Sequence, residues 1–346
     1  MTGWLKRSLL SLSPDEASFS RRGFPGRESA SRAHLETILR TFIEGYNLAL
    51  RSPDTETLVR QLDSAFSPAS VGFAYEGAGL WYALSDLLLP GGESRLRRFL
   101  SSPASRHDFI ASVGAGFAIA RAPFGLRRMQ SYQAKLDPMS AWCLADGYGF
   151  HQGFFHWERF VRDCEAPPAS FDLQARALFD AGVGRSMWWV FGASPVPIAT
   201  AISRFESHRL PEMWTGIGTA LSYAGGVPAS SVQVLLDLAG PYRSDLVSGI
   251  PFAAHMRHKG GNPSDWTGQV CEQCIGLTTA ETSALIVNEL QTYLTSWTGS
   301  DQEKWDGCYL ALRSRVKQAL AVRDSGAADA MAPAALISGE SNVNSN

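Results

Sequence analysis

A pair of glycines separated by one residue recurs along the chain. It stands at Gly77-Ala78-Gly79, Gly114-Ala115-Gly116, Gly147-Tyr148-Gly149, Gly182-Val183-Gly184 and Gly216-Ile217-Gly218, and a Gly249-Ile250-Pro251 variant follows. Successive first glycines lie 37, 33, 35, 34 and 33 residues apart. A nearly fixed period of that length marks a repeat array, in which each unit is one supersecondary element that buries its apolar face only against its neighbours. After most pairs comes a small and aromatic stretch, such as Leu80-Trp81-Tyr82-Ala83-Leu84 or Phe117-Ala118-Ile119-Ala120, which predicts one helix per unit. Shorter amphipathic pieces at 57–62, 95–100, 198–202 and 232–236 are bounded by Pro, Gly or Ser and predict a second helix. The expected fold class is all-α, with six to eight tandem helical hairpins of about 34 residues forming an α/α superhelix or a closed α/α toroid.

Helical segments at 32–50 and 279–294 extend the array, though neither carries the glycine pair. The expected organisation is an irregular arm over residues 1–30, a single helical-repeat domain over 31–322, and a disordered tail over 323–346. Each glycine inside a helix costs about 1 kcal/mol relative to alanine, so the recurrence needs a compensating gain. Close approach of neighbouring helices supplies one, and space for a ligand supplies another. A phosphate-cradling loop would need a strand before each pair, and none is visible.

The 31 basic and 33 acidic residues leave a net charge of −2, so nothing points to a nucleic-acid backbone or an anionic membrane surface. No run reaches the ~18 apolar residues that span a bilayer, and the apolar stretch within Met1–Ser13 is too short for a secretory signal. A cytoplasmic protein is expected. The five cysteines are odd in number and scattered, which suits a reducing compartment. Ten Trp and eighteen Phe exceed what a minimal core requires, and could line an apolar cavity as well as pack one.

Equivalent positions of the units can be compared directly. One residue before the first glycine stand Glu76, Val113, Asp146, Ala181, Thr215 and Ser248; three residues after it stand Leu80, Phe117, Phe150, Arg185, Thr219 and Phe252. These positions are four apart and share a helix face. Glu76, Asp146 and Arg185 are thus expected to project the same way, with Trp188 one turn beyond, as an acid/base and anion-holding set. An inter-helix salt bridge of purely structural use is the competing reading. His151 and Asp180 are further candidates for acid/base roles, and Tyr75, Trp81, Tyr148, Trp188, Trp189 and Trp214 for contacts with an apolar ligand. Asp146 and His151 would not meet directly, because five helical residues leave them about 140° apart. His255-x-x-His258 and Cys271-x-x-Cys274 are the most metal-like arrangement, but both pairs fall in helical segments rather than on a knuckle, and no metal is expected. No cofactor is expected either, since no nucleotide, hydrolase or diphosphate-magnesium motif occurs.

Several segments resemble a bacterial family of enediyne biosynthesis proteins of unknown biochemical function. They are Arg22-Gly23-Phe24, Leu35-Glu36 with Gly45-Tyr46-Asn47, Phe73-Ala74-Tyr75-Glu76-Gly77-Ala78, Asp146-Gly147-Tyr148-Gly149-Phe150-His151, Gly182-Val183-Gly184-Arg185 with Trp188, and Tyr223-Ala224-Gly225-Gly226. The resemblance runs from about residue 20 to 320. It implies a natural-product enzyme that cyclises or isomerises a long apolar polyene, with a polyketide synthase or carrier protein as partner; a homodimer is left open. Two alternatives remain at this point. One is an atypical terpene cyclase in which a carboxylic acid starts a cation cascade. The other is a non-catalytic helical-repeat scaffold that docks a synthase.

Overall fold

The computed structural model describes residues 10–89 and 94–331, and among them it contains helices and turns but no strand. In chain order the helices are α1 (Phe19–Arg22), α2 (Arg32–Arg51), α3 (Thr55–Ala65), α4 (Pro68–Leu88), α5 (Arg95–Leu100), α6 (Asp108–Arg121), α7 (Gly125–Gln133) and α8 (Pro138–Phe155). There follow α9 (Leu173–Val190), α10 (Pro195–Ile202), α11 (Leu210–Ala224), α12 (Ser230–Ala239), α13 (Arg243–Gly260), α14 (Asp265–Ile275), α15 (Thr279–Ser296), α16 (Asp301–Asp306) and α17 (Cys308–Met331). The local starts follow from the chemistry of helix termini. Proline opens α4 and α8, and the carboxylates of Asp54, Asp137 and Asp172 accept backbone N–H groups at the first turns of α3, α8 and α9.

Every glycine pair falls inside a long helix, namely α4, α6, α8, α9 or α11. These helices are buried on nearly all sides; in α9 every residue from Leu178 to Val190 is buried. The four predicted amphipathic pieces are α3, α5, α10 and α12, which bury one face only. The alternation breaks once, between α8 and α9, where a π-helical turn at Glu158–Arg162 replaces an outer α-helix.

The glycines set how closely the long helices approach. A Cβ on Gly114 would lie 1.9 Å from the carbonyl oxygen of Glu76, and one on Gly116 would lie 2.5 Å from that of Leu144. The same pattern repeats: the first glycine of a pair meets the backbone of the preceding long helix, and the second meets the backbone of the following one. Neighbouring main chains therefore touch without side chains between them, which offsets the propensity cost through packing and Cα–H···O contacts. Gly45 of α2 joins the series, because a Cβ there would meet the carbonyl of Ala74 at 2.1 Å. The first long helix thus keeps one glycine of the pair.

The long helices contact one another in chain order, α2 with α4, then α6, α8, α9, α11, α13, α15 and α17. The C-terminal end of α13 also reaches the start of α4 and α6: Arg257 donates to the carbonyl of Ala69 at 2.7 Å, and Lys259 pairs with Asp108 at 2.7 Å. Helix α17 extends to Met331, so the boundary expected at 323 falls within a helix, while residues 332–346 lie outside the described residues. At the other end, residues 1–9 lie outside them too. The rest of the arm is docked. Phe19 and Phe24 are fully buried, the Phe19 N–H donates to Glu36, and Asn47 clasps both backbone groups of Leu12. No helix among the described residues is long and apolar enough to cross a membrane.

Candidate functional site

The helical array encloses a cavity of ≈ 360 Å³, a size typical of small-molecule sites. Its wall follows one stripe along the long helices. Three residues after the first glycine, Leu80, Phe117, Phe150, Arg185 and Thr219 line it; seven after, Arg121, Phe154, Trp189, Tyr223 and Met256 do. Residues four apart stack on one helix face, so the stripe faces inward through two successive turns. A smaller cavity of ≈ 90 Å³ lies alongside, lined one residue before the first glycine by Val113, Asp146, Ala181 and Thr215. Arg185, Thr219 and Met256 line both.

The larger cavity is mostly aromatic. Phe117 stacks on Phe150 at 5.2 Å between ring centres, Phe150 stacks on Phe154 at 5.8 Å, and Trp189 meets Phe150 edge-on at 5.2 Å. Phe42 continues the run beside Phe117 at 5.4 Å, and Phe73 packs edge-on to Tyr223 at 5.2 Å.

Into this apolar space projects the carboxyl of Glu76, which is buried and takes part in no hydrogen bond or ion pair with the described residues. Burial pushes its pKa up to about 8; Arg185 works against the rise and Asp146 adds to it. The neutral carboxylic acid is therefore the form that burial favours at Glu76. Arg185, also buried, donates to the carboxylate of Asp146, and its guanidinium lies 4.9 Å from the centre of the Phe150 ring. Burial raises the Asp146 pKa too, against the charge and hydrogen bond of Arg185. The chemistry available is a proton on Glu76 near the guanidinium of Arg185, in a site walled mainly by aromatic rings.

A family model described as "Protein of unknown function (DUF1702)" matches residues 1–320, a span that includes every residue lining the two cavities. The chain belongs to that family. No curated protein and no solved structure matches it.

In this family member, Glu76, Asp146 and Arg185 converge as their shared register predicts. Trp189 joins them, but Trp188 does not. Trp188 stands six residues after the first glycine, about 100° around the helix from Trp189 and about 60° from Arg185, and its indole N–H donates to the carbonyl of Gly225 at 3.0 Å. The same register error removes the other candidates from the cavity. Tyr75, two residues before the first glycine, stacks on His107 at 4.1 Å and donates to Asp63. Trp81 packs edge-on against Tyr46, Tyr148 lies against Phe171, and Trp214 is buried in the core; none lines the cavity. Asp180 is held by Arg209, which donates to it at 2.6 Å and also grips the carbonyls of Cys164 and Glu165, so it fixes the segment after the π-helical turn. His151 packs against Phe155 at 4.5 Å, outside the cavity lining, and burial pushes its pKa down to about 3, which keeps it neutral.

Among the described residues no three His, Cys, Asp or Glu side chains gather as a metal would require. His255 bonds instead to Ser283, and His258 is exposed. Sequence reasoning missed Phe154, Arg121 and Tyr223, although the stripe extended by one more turn names all three. It also missed the arm. Ser11, Leu12, Ser13, Glu16 and Arg22 line the larger cavity, a contact between distant segments that no periodic pattern carries.

Proposed function

We propose that this protein is an acid/base enzyme acting without redox change on a long, apolar, unsaturated chain enclosed in the larger cavity. The observation that carries the reading is Glu76, a buried carboxyl facing an aromatic-walled space with no hydrogen-bond partner among the described residues, where burial favours its protonated form. In the proposed step Glu76 gives that proton to one end of a conjugated unit while the other oxygen of its carboxyl removes a proton from a carbon further along, and Arg185 favours the negative charge that gathers on the carboxyl during the exchange. Protons balance, no free cation forms, and the chain has shifted a double bond. Asp146 is a positioning residue that orients the Arg185 guanidinium.

The fixed charge of Arg185 favours negative charge nearby, on the carboxylate or on an enol-type oxygen of the ligand, and it disfavours a cation cascade beginning at Glu76. We therefore rank the terpene-cyclase alternative second, although the stacked rings would suit it. The contacts between α13 and the starts of α4 and α6 support a closed rather than an open array. A place in natural-product biosynthesis rests on the sequence resemblance alone.

The test is to incubate purified protein with panels of polyenoic acids and isoprenyl diphosphates and to analyse products. The polyenoic panel is expected to yield a rearranged isomer, and Glu76→Gln to lower its rate by roughly 100-fold or more with folding unchanged, as for loss of a general acid. An activity untouched by Glu76→Gln overturns the assignment.

A further inference from the structure

The larger cavity reaches solvent where its lining residues are exposed, at Ser11, Ser13 and Arg121. Two guanidiniums meet there over one ring: that of Arg22 lies 4.6 Å from the centre of Phe155 and that of Arg121 lies 5.8 Å from it. The two come from distant parts of the chain, the docked arm and the last turn of α6. Glu16 is the nearby carboxylate, and it is already engaged, accepting from Arg22 and pairing with Arg21 at 2.6 Å. Arg121 has no carboxylate partner among the described residues. Three guanidiniums and one carboxylate leave a surplus of positive charge beside an apolar hollow.

Like charges brought together in this way cost free energy unless an anion completes the group. We infer that Arg121, with Arg22, receives the anionic head of an amphiphilic ligand whose apolar chain runs inward along Phe155, Phe154 and Phe150 towards Glu76. This inference rests on the proposed function for the chain's destination and adds the class of substrate and its direction of entry: head outward under the arm, unsaturated chain inward. A carboxylate and a phosphate share the required chemistry, since a guanidinium offers paired N–H donors to either.

Calorimetric titration of the full chain with dodecanoate, dodecyl phosphate and methyl dodecanoate tests it. The two anions are expected to bind at least about ten-fold more tightly than the ester, a difference of about 1.4 kcal/mol. Arg121→Ala should abolish that preference while leaving ester binding in place, and Arg121→Glu should reverse it. Whichever anion binds more tightly identifies the head. Equal affinity for acid and ester in the unsubstituted protein overturns the inference while leaving the cavity reading intact. Binding of none of the three overturns both. An anion preference that depends on Arg121, in a protein that turns over no chain, supports this inference and overturns the proposed catalysis.

Discussion

Glu76 has exchanged solvent for aromatic walls, and that exchange has a thermodynamic signature. Its folded pKa, about 8, stands above the ordinary 4.5 of a glutamate. The neutral acid is thus the form the fold favours. Its contribution to stability is fully present below the unfolded value and is lost as pH rises through the folded one. Glu76→Gln, which cannot ionise, should therefore lose less stability than the unsubstituted protein between about pH 5 and about pH 9, by an amount on the order of a few kcal/mol. Urea unfolding of both proteins at the two pH values measures it; parallel losses would show that Glu76 ionises freely in the fold. Catalysis should follow the same proton, with kcat/KM falling as pH rises past about 8. This much of the site was legible in the sequence, because residues at equal offsets from a repeated glycine must face alike. Trp188 and Trp189 show how finely the register must be read: the two indoles differ by one position, and Trp189, four residues after Arg185, is the one that lines the cavity.

The glycine pairs govern the helices as elements. Gly114→Ala would drive a methyl group to 1.9 Å from the Glu76 carbonyl oxygen, and relief requires α6 to move away from α4. A loss of roughly 3 kcal/mol or more is expected in thermal or urea unfolding, at the upper end of overpacking costs. Gly268→Ala in α14 provides the contrast. The nearest atom to its Cβ would be 3.7 Å away, and alanine there should stabilise by about 0.5–1 kcal/mol. Similar effects from the two substitutions would show that propensity, not helix approach, explains the pairs. The helices and the amphipathic pieces between them were predictable, since both depend on local pattern. The π-helical turn at Glu158–Arg162 and the docked arm were not, because each is fixed by contacts with distant residues, such as Arg209 and Asn47.

At the scale of the molecule, Arg257 ties the end of α13 to the start of α4. This buried arginine has no carboxylate partner among the described residues; it donates to the carbonyls of Ala69 and Tyr223, at 2.7 and 2.6 Å, and lies 3.9 Å from the centre of the Tyr223 ring. Arg257→Met would keep most of the volume and leave both carbonyls without this donor. A loss of roughly 3 kcal/mol is expected for two charge-assisted bonds. Amide hydrogen exchange should quicken at the start of α4 and the end of α11, where the two carbonyls stand, and unchanged exchange there would show that this junction does not depend on Arg257. How far the array curls was beyond the sequence, because a small rotation per step accumulates over several helices and no single residue encodes the sum. The main-chain contacts at the glycines separate two tasks within each hairpin. Spacing of the wall is settled by atoms every residue shares, whereas the inward stripe is left to side chains that touch mainly the hollow. Diversification of such a scaffold would then proceed by recolouring its interior, with new guests admitted through exchanges at a few offsets per repeat while the surrounding framework stays as it is.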